Sequence, residues 1–306
     1  MPQELGRLLT AMVTPFDASG AVDLVQAARL ARAVVAAGSD GVVVNGTSGE
    51  SPTLDATERL ALLDAVRAAL PDAAVIMGTG SNNTAATVAL TREAQLRGAD
   101  CALVVTPYYN KPPVEGIVAH YSAVADVGLP VMLYNIPSRC GLNVSVDTQL
   151  QLARHPNIIG TKEASGDVDQ VAAIVAGAPS GFRVWSGDDG LTVPFMSVGA
   201  VGVVSVVSHV AGAAMRRMID GFIAGDVATA TELHQRLLPL FKGLFVTTNP
   251  IPVKAALHYI GFDAGGLRLP LVELDGARRA TLGGLLDSLG DLVGLPAAEI
   301  ARVGGA

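Results

Sequence analysis

A short run of aliphatic residues, a turn, and then a stretch with helical spacing recur along this chain, and that repetition limits its fold more than any other feature. Strand-length apolar runs fall at residues 8–14, 41–45, 74–78, 101–106, 131–135, 158–162, 183–186 and 201–206. Between them, residues 22–37 place Val22, Val25, Leu30, Val34 and Val35 on one helical stripe before Gly38, a suitable C-terminal cap. Residues 55–70 open with Asp55 and Glu58 at capping-box spacing and stop at Pro71. Further helices are predicted at 84–97, 115–127, 147–154, 168–176, 191–198 and 213–224. Strands that are apolar at nearly every position are buried on both faces, as a parallel sheet sheathed by helices requires. About eight such units in roughly 225 residues predict an α/β fold, a TIM (β/α)8 barrel, rather than an open doubly wound sheet. The dinucleotide fingerprint is also incomplete, since 78–83 (Gly-Thr-Gly-Ser-Asn-Asn) supplies only its first two glycines. After Gly225 the pattern turns to helices alone, at 227–245, 252–259 and 282–293. The expected division is therefore a barrel carrying the active site over residues 1–225 and a C-terminal helical extension over 226–306.

Half of the residues are hydrophobic and the mean hydropathy is +0.44, which raises the question of a membrane. The apolar runs are too short and too punctuated for one. The longest, 199–215, contains Ser205, Ser208, His209 and several glycines. The first residues lack a basic segment followed by a long apolar core, so a soluble, cytoplasmic protein is expected. A formal charge of −7 without a basic tract argues against nucleic acid as a partner. Cys101 and Cys140 form neither a disulfide framework nor a metal spacing, and the five histidines stand far apart. Scattered ligands can still meet in space, so this lowers the expectation of a metal without removing it.

Against that background Lys162 is out of place. It ends the run Ile158-Ile159-Gly160-Thr161-Lys162, and lysine is rarely buried because desolvating an ammonium is costly. Two readings fit. The side chain could snorkel from the strand end into solvent. Alternatively it could lose its proton in the interior and act as a nucleophile toward carbonyls. Period-2 alternation puts Lys162 on the face of Gly160, and Glu163 on the opposite face with Thr161.

If the barrel is right, chemistry belongs at the carboxyl ends of its strands. Strand 2 is followed by Gly46-Thr47-Ser48-Gly49-Glu50 and strand 4 by Thr106-Pro107-Tyr108-Tyr109-Asn110. Strand 5 leads into 134–141 (Tyr-Asn-Ile-Pro-Ser-Arg-Cys-Gly), strand 7 into Gly187-Asp188-Asp189-Gly190, and strand 8 carries Val204 and Ser205. The Gly-Thr-Ser-Gly turn is either an anion cradle of backbone N–H groups and hydroxyls or an ordinary turn. Tyr134 could carry a proton or simply pack in the core. Arg139 could clamp a carboxylate with its planar guanidinium or be a solvated charge. Cys140 has no evident base to activate it, and Asp188 and Asp189 read as a capped turn more readily than as a cation site.

In this order and spacing, the motifs resemble the dihydrodipicolinate synthase/N-acetylneuraminate lyase family of Schiff-base aldolases, from about residue 8 to residue 269. Three features are similar to its condensing branch: Thr-Pro-Tyr-Tyr-Asn at 106–110, the arginine of Tyr-Asn-Ile-Pro-Ser-Arg at 134–139, and Asn-Pro-Ile-Pro-Val-Lys at 249–254. The sialic-acid lyases share the barrel, the lysine and the tyrosine but lack that arginine. The resemblance implies that Lys162 forms a Schiff base with pyruvate, whose carboxylate Thr47 and Ser48 hold with backbone groups near Val204. It implies that Tyr134 moves protons, linked through Thr47 to Tyr109, which reaches in from a neighbouring subunit. Arg139 would receive the carboxylate of aspartate 4-semialdehyde, with Gly187 nearby. The implied product is 4-hydroxy-tetrahydrodipicolinate, on the route to diaminopimelate and lysine. No cofactor or metal is implied, because the protonated imine serves as the electron sink. A homo-oligomer follows, a tetramer built as a dimer of dimers. The alternatives are a lyase or dehydratase using the same lysine on a sugar acid, and a silent barrel binding an oxo-acid.

One region departs from the lysine-inhibited members of the family. Asn82 and Tyr108 match their inhibitor site, but Ala56, Arg59 and Ala86 stand where two histidines and a glutamate occur. Lysine feedback is therefore expected to be weak or absent. Cys140 replaces a common threonine, a change expected to be tolerated.

Overall fold

The computed structural model describes residues 5–300, and side chains as far as residue 298. Eight parallel strands close on themselves in chain order: β1 Leu8–Ala11, β2 Gly41–Val44, β3 Ala74–Gly78, β4 Cys101–Val105, β5 Val131–Asn135, β6 Ile158–Glu163, β7 Arg183–Ser186 and β8 Gly202–Ser205. β8 returns to β1 through the Leu9↔Val204 register. Around the barrel lie α1 Leu24–Ala36, α2 Ala56–Ala69, α3 Thr84–Leu96, α4 Val114–Ala125, α5 Pro137–Cys140, α6 Val146–Leu152, α7 Val168–Gly177, α8 Thr192–Met196 and α9 Ser208–Ile223. Then come α10 Val227–Gly243, α11 Ile251–Tyr259, α12 Gly276–Leu289 and α13 Ala297–Ile300. This is the predicted (β/α)8 barrel followed by helices; residues 301–306 of the expected extension lie outside the described residues.

Alternation along each strand divides the apolar residues into two cores. Leu9, Val43, Ile76, Leu103, Met132 and Trp185 point into the barrel. Leu8, Val42, Val75, Val104, Leu133 and Val203 point outward, where the helices cover them. Each such fully buried side chain contributes roughly 1.5–3 kcal/mol over its exposed state. Gly160 has a specific role in this packing. A Cβ there would lie 2.2 Å from the Arg183 carbonyl oxygen and 2.7 Å from the Trp185 ring, so only glycine lets the indole fill the barrel beneath Lys162.

Side-chain caps start the helices. Asp23, Asn83, Ser145, Asp167, Asp226 and Asp275 each accept from a first-turn N–H. Asp55 and Glu58 form the reciprocal capping box that their spacing predicts.

Differences from the sequence reading sit at element ends. β1 stops at Ala11, although Met12 and Val13 remain buried. Their apolarity reflects a buried loop, in which the Val13 N–H donates to His209 Nε2 at 3.1 Å. The helix expected at 282–293 begins instead at Gly276, because its first turn is wholly exposed and carries no apolar stripe. The short α5 was not expected at all.

Candidate active site

A cavity opens at the carboxyl ends of the strands, and Lys162 forms part of its wall. β6 places this residue in register with Tyr134 on β5 and Trp185 on β7. Only 6% exposed, it holds its Nζ 4.3 Å from the centroid of the Tyr134 ring. Burial draws its pKa down to about 8, with Asp189 pulling the other way and Arg139 reinforcing the shift. Asp189 itself is engaged by the Ser205 hydroxyl and by the N–H groups of Val206 (3.0 Å) and Val207 (3.2 Å). The lysine therefore does not snorkel away from the site. Glu163, one residue later, points into the helical layer, where it accepts from Asn135, Gln149 and Gln170.

Thr47 and Ser48 sit on the turn after β2, beside Lys162 in the same wall. The turn is bracketed by Asn45 and Glu50, both at φ 55°, and closed by Gly49 N–H donating to the Gly46 carbonyl at 3.1 Å. Tyr134 is buried, which pushes its phenol up to about 12; Arg139, and less strongly Thr47, counter that rise. Arg139 projects from α5, started by Pro137 and ended by Gly141 at φ 67°. Its Nη2 donates to the Thr248 hydroxyl at 3.2 Å, and the residue lines the cavity. Gly187 approaches closely enough that a Cβ would stand 3.2 Å from Lys162 Cε and 2.7 Å from Ala164 Cβ.

Two predicted site residues are elsewhere. Val204 is packed inside the barrel, and on this side Val206 forms the cavity wall. Tyr109 is 89% exposed, held at φ 71° in the loop after β4, and does not reach the cavity of its own chain. The remaining candidates have structural occupations. Cys140 donates its thiol to the Thr106 carbonyl at 3.3 Å, and burial raises its pKa to about 11. Asp188 caps a short 3-10 turn by accepting from Gly190 N–H at 2.8 Å. His209 is fully buried and neutral, with both ring nitrogens hydrogen-bonded. No group of three or more His, Cys, Asp or Glu able to hold a metal occurs among the described residues.

A buried amine on a barrel strand, cross-strand from a tyrosine and flanked by hydroxyls and a guanidinium, is a distinctive arrangement, and the fold that carries it is similar to that of known proteins. Residues 4–289 match the model of the dihydrodipicolinate synthetase family. The chain belongs to that family. A 4-hydroxy-tetrahydrodipicolinate synthase from Synechococcus sp. (strain CC9902) is 55% identical over 291 residues, 94% of this chain and 96% of its own. Among solved structures, the family's dihydrodipicolinate synthase from Bacillus anthracis superposes with a TM-score of 0.91 at 45% identity, over 93% of this chain and 98% of its own. A family member from Cyanidioschyzon merolae, solved with lysine bound, gives a TM-score of 0.92 at 43% identity, over 94% and 98%.

Within this family fold the cavity also takes residues that the sequence reading passed over. Phe245 and Asn249, from the loop between α10 and α11, complete the wall beside Arg139. The helices after the barrel are fastened to the Thr47–Ser48 turn by charge. Lys254 on α11 meets Glu50 at 2.8 Å with both side chains buried, and its Nζ lies 4.2 Å from the Phe16 ring centroid. Arg268 covers the same ring at 4.5 Å; its N–H donates to Glu50 Oε2 and its guanidinium pairs with Glu58. Lys254 and Asn249 both belong to the 249–254 motif, so the signal was present in the sequence, but its roles were not.

Proposed function

We propose that this chain, in the cytoplasm, condenses pyruvate with aspartate 4-semialdehyde to give 4-hydroxy-tetrahydrodipicolinate, the product for which its relatives are named. Enzymes of the family need no cofactor. The observation that carries the reading is the burial of Lys162 in the cavity wall with its pKa drawn down to about 8. At pH 7 about a tenth of such amines are neutral, against about 0.03% for an unperturbed lysine. That is a gain of about three hundredfold in nucleophile.

The neutral Nζ adds to the C2 carbonyl of pyruvate, and loss of water leaves an imine. Removal of a C3 proton then gives an enamine. The enamine C3 attacks the aldehyde carbon of the second substrate, and the resulting alkoxide takes up a proton. Finally the substrate's own amine adds to the imine carbon and Lys162 departs, closing the ring. Thr47 and Ser48 hold the pyruvate carboxylate in this scheme, and the wall beside them past the end of β8 is formed by Val206 rather than Val204. Tyr134 is the proton carrier, and its raised pKa keeps it protonated between transfers. Arg139 receives the semialdehyde carboxylate beside Gly187. Residues 1–225 carry the barrel, and the helical region from 226 onward closes the cavity.

Tyr109 enters through assembly. An 89%-exposed tyrosine held at positive φ has no use in its own cavity, and it fits a relay completed in a neighbouring subunit's site within a dimer of dimers. Weakening the dimer without unfolding it is then expected to depress turnover more than pyruvate binding, read by steady-state kinetics alongside sedimentation.

The central test is chemical. Incubation with pyruvate, reduction with borohydride and peptide mapping by mass spectrometry should place the adduct on Lys162; an unmodified Lys162 would overturn the reading. Turnover of aspartate semialdehyde in preference to sialic acid or keto-deoxy sugar acids then distinguishes the condensation from a lyase.

A further inference from the structure

One polar side chain in the cavity has no part in the scheme above. Asn249 is 4% exposed, lines the cavity, and has no hydrogen-bond partner on either Nδ2 or Oδ1 among the described residues. A buried carboxamide with both ends unsatisfied costs stability, and a ligand offering matching groups relieves that cost. Its position says what the ligand presents. The adjacent Thr248 hydroxyl accepts from Arg139 Nη2 at 3.2 Å, so Asn249 stands on the wall where the semialdehyde carboxylate is to be held.

An α-amino acid carries its amino group on the same carbon as its carboxylate. Arg139 can only donate, so it serves the carboxylate and cannot accept from an amine. Among the described residues, the cavity wall contains no aspartate or glutamate. The amine must therefore be met by a neutral oxygen. Asn45, the other asparagine of the wall, also has an unpartnered Oδ1, but its Nδ2 is tied to the Gly78 carbonyl at 2.6 Å, which fixes its amide between β2 and β3, away from Arg139 and Thr248. Asn249 is tied at neither end, and rotation of its amide can turn the oxygen inward.

We propose that Asn249 reads the α-amino group of the second substrate, its Oδ1 accepting an N–H while Arg139 holds the carboxylate; this rests on the condensation reading above. It makes Asn249 the residue that separates an α-amino aldehyde from the desamino aldehyde of equal length, 4-oxobutanoate.

The test compares Asn249→Leu and Asn249→Ala with the unaltered protein. KM for aspartate semialdehyde is expected to rise about tenfold or more in both variants. The inhibition constant of 4-oxobutanoate against the semialdehyde, the KM for pyruvate, and borohydride trapping on Lys162 should each stay within about twofold. Equal weakening of semialdehyde and 4-oxobutanoate would mean that Asn249 only shapes the cavity, and an unchanged semialdehyde KM would mean that it touches nothing; either overturns the assignment. Trapping of pyruvate serves as the check on folding, and the two variants differ in volume, so a packing defect in one does not mimic the effect in both. If the unaltered protein fails to trap pyruvate, the condensation reading falls and this one with it. Trapping with unchanged semialdehyde KM in the variants removes the Asn249 assignment alone.

Discussion

A lysine buried inside a barrel weakens the fold that holds it. Lys162 binds its proton less tightly in the folded chain than in the unfolded one, because burial opposes the charge. Below about pH 8 both states are protonated, and the folded state bears the full cost of a desolvated ammonium. Between about pH 8 and the ordinary lysine range the folded state sheds its proton first, so that cost fades as pH rises. Lys162→Met is therefore expected to raise stability at pH 7 by about 1–3 kcal/mol, with the gain shrinking above pH 8, as urea denaturation across pH would show. The same titration governs reactivity. The rate of imine formation with pyruvate should climb about tenfold per pH unit up to about pH 8 and then level, as borohydride trapping across pH would report. Lys162→Arg, which cannot lose its proton, should trap nothing.

At the scale of elements, α11 and the turn after β2 behave as one unit because Lys254 and Glu50 meet inside the protein. Removing one partner leaves the other buried and uncompensated, so Lys254→Met should cost about 3–5 kcal/mol in denaturation experiments. The double replacement Glu50→Gln with Lys254→Met should recover most of that loss, and a double-mutant cycle measures the coupling. This pair also marks where the sequence stopped being legible. Strand and helix identities could be read because period 2 and period 3.6 are local, and the Asp55–Glu58 box shows up within four residues. Lys162 could be read because a charge interrupts a strand of aliphatic residues. Nothing local in Pro-Ile-Pro-Val-Lys says that its lysine crosses to Glu50, or that Asn249 lines the cavity, since both depend on how helices after the barrel fold back over it. The same holds for Val206, which lies just past the end of β8 at Ser205 and forms the wall in place of Val204.

For the whole molecule, the groove next to the active site bears on regulation. Arg59 and Tyr108 line it together with Arg139. The Arg59 guanidinium is committed to the carbonyls of Leu54 and Ser51, at 3.0 and 2.9 Å, and adds a positive charge to the groove that disfavours a cationic effector there. Ala56 and Ala86 add no acceptor. Sub-millimolar lysine is expected to leave turnover unchanged, and half-maximal inhibition in that range would show that the groove still accepts it. The same barrel carries a reporter of its own state. Trp185 is the single tryptophan of the chain, and it lies in register with Lys162 over the gap left by Gly160, its indole N–H donating to the Gly6 carbonyl at 3.0 Å. Its fluorescence therefore comes from one site, a ring only 1% exposed on the strand beside Lys162. If Lys162 forms the proposed imine, the change in charge alters the electric field across the indole, and pyruvate binding is expected to register as an emission change without any label. Loss of the barrel, by contrast, should shift the emission to the red as the ring meets water.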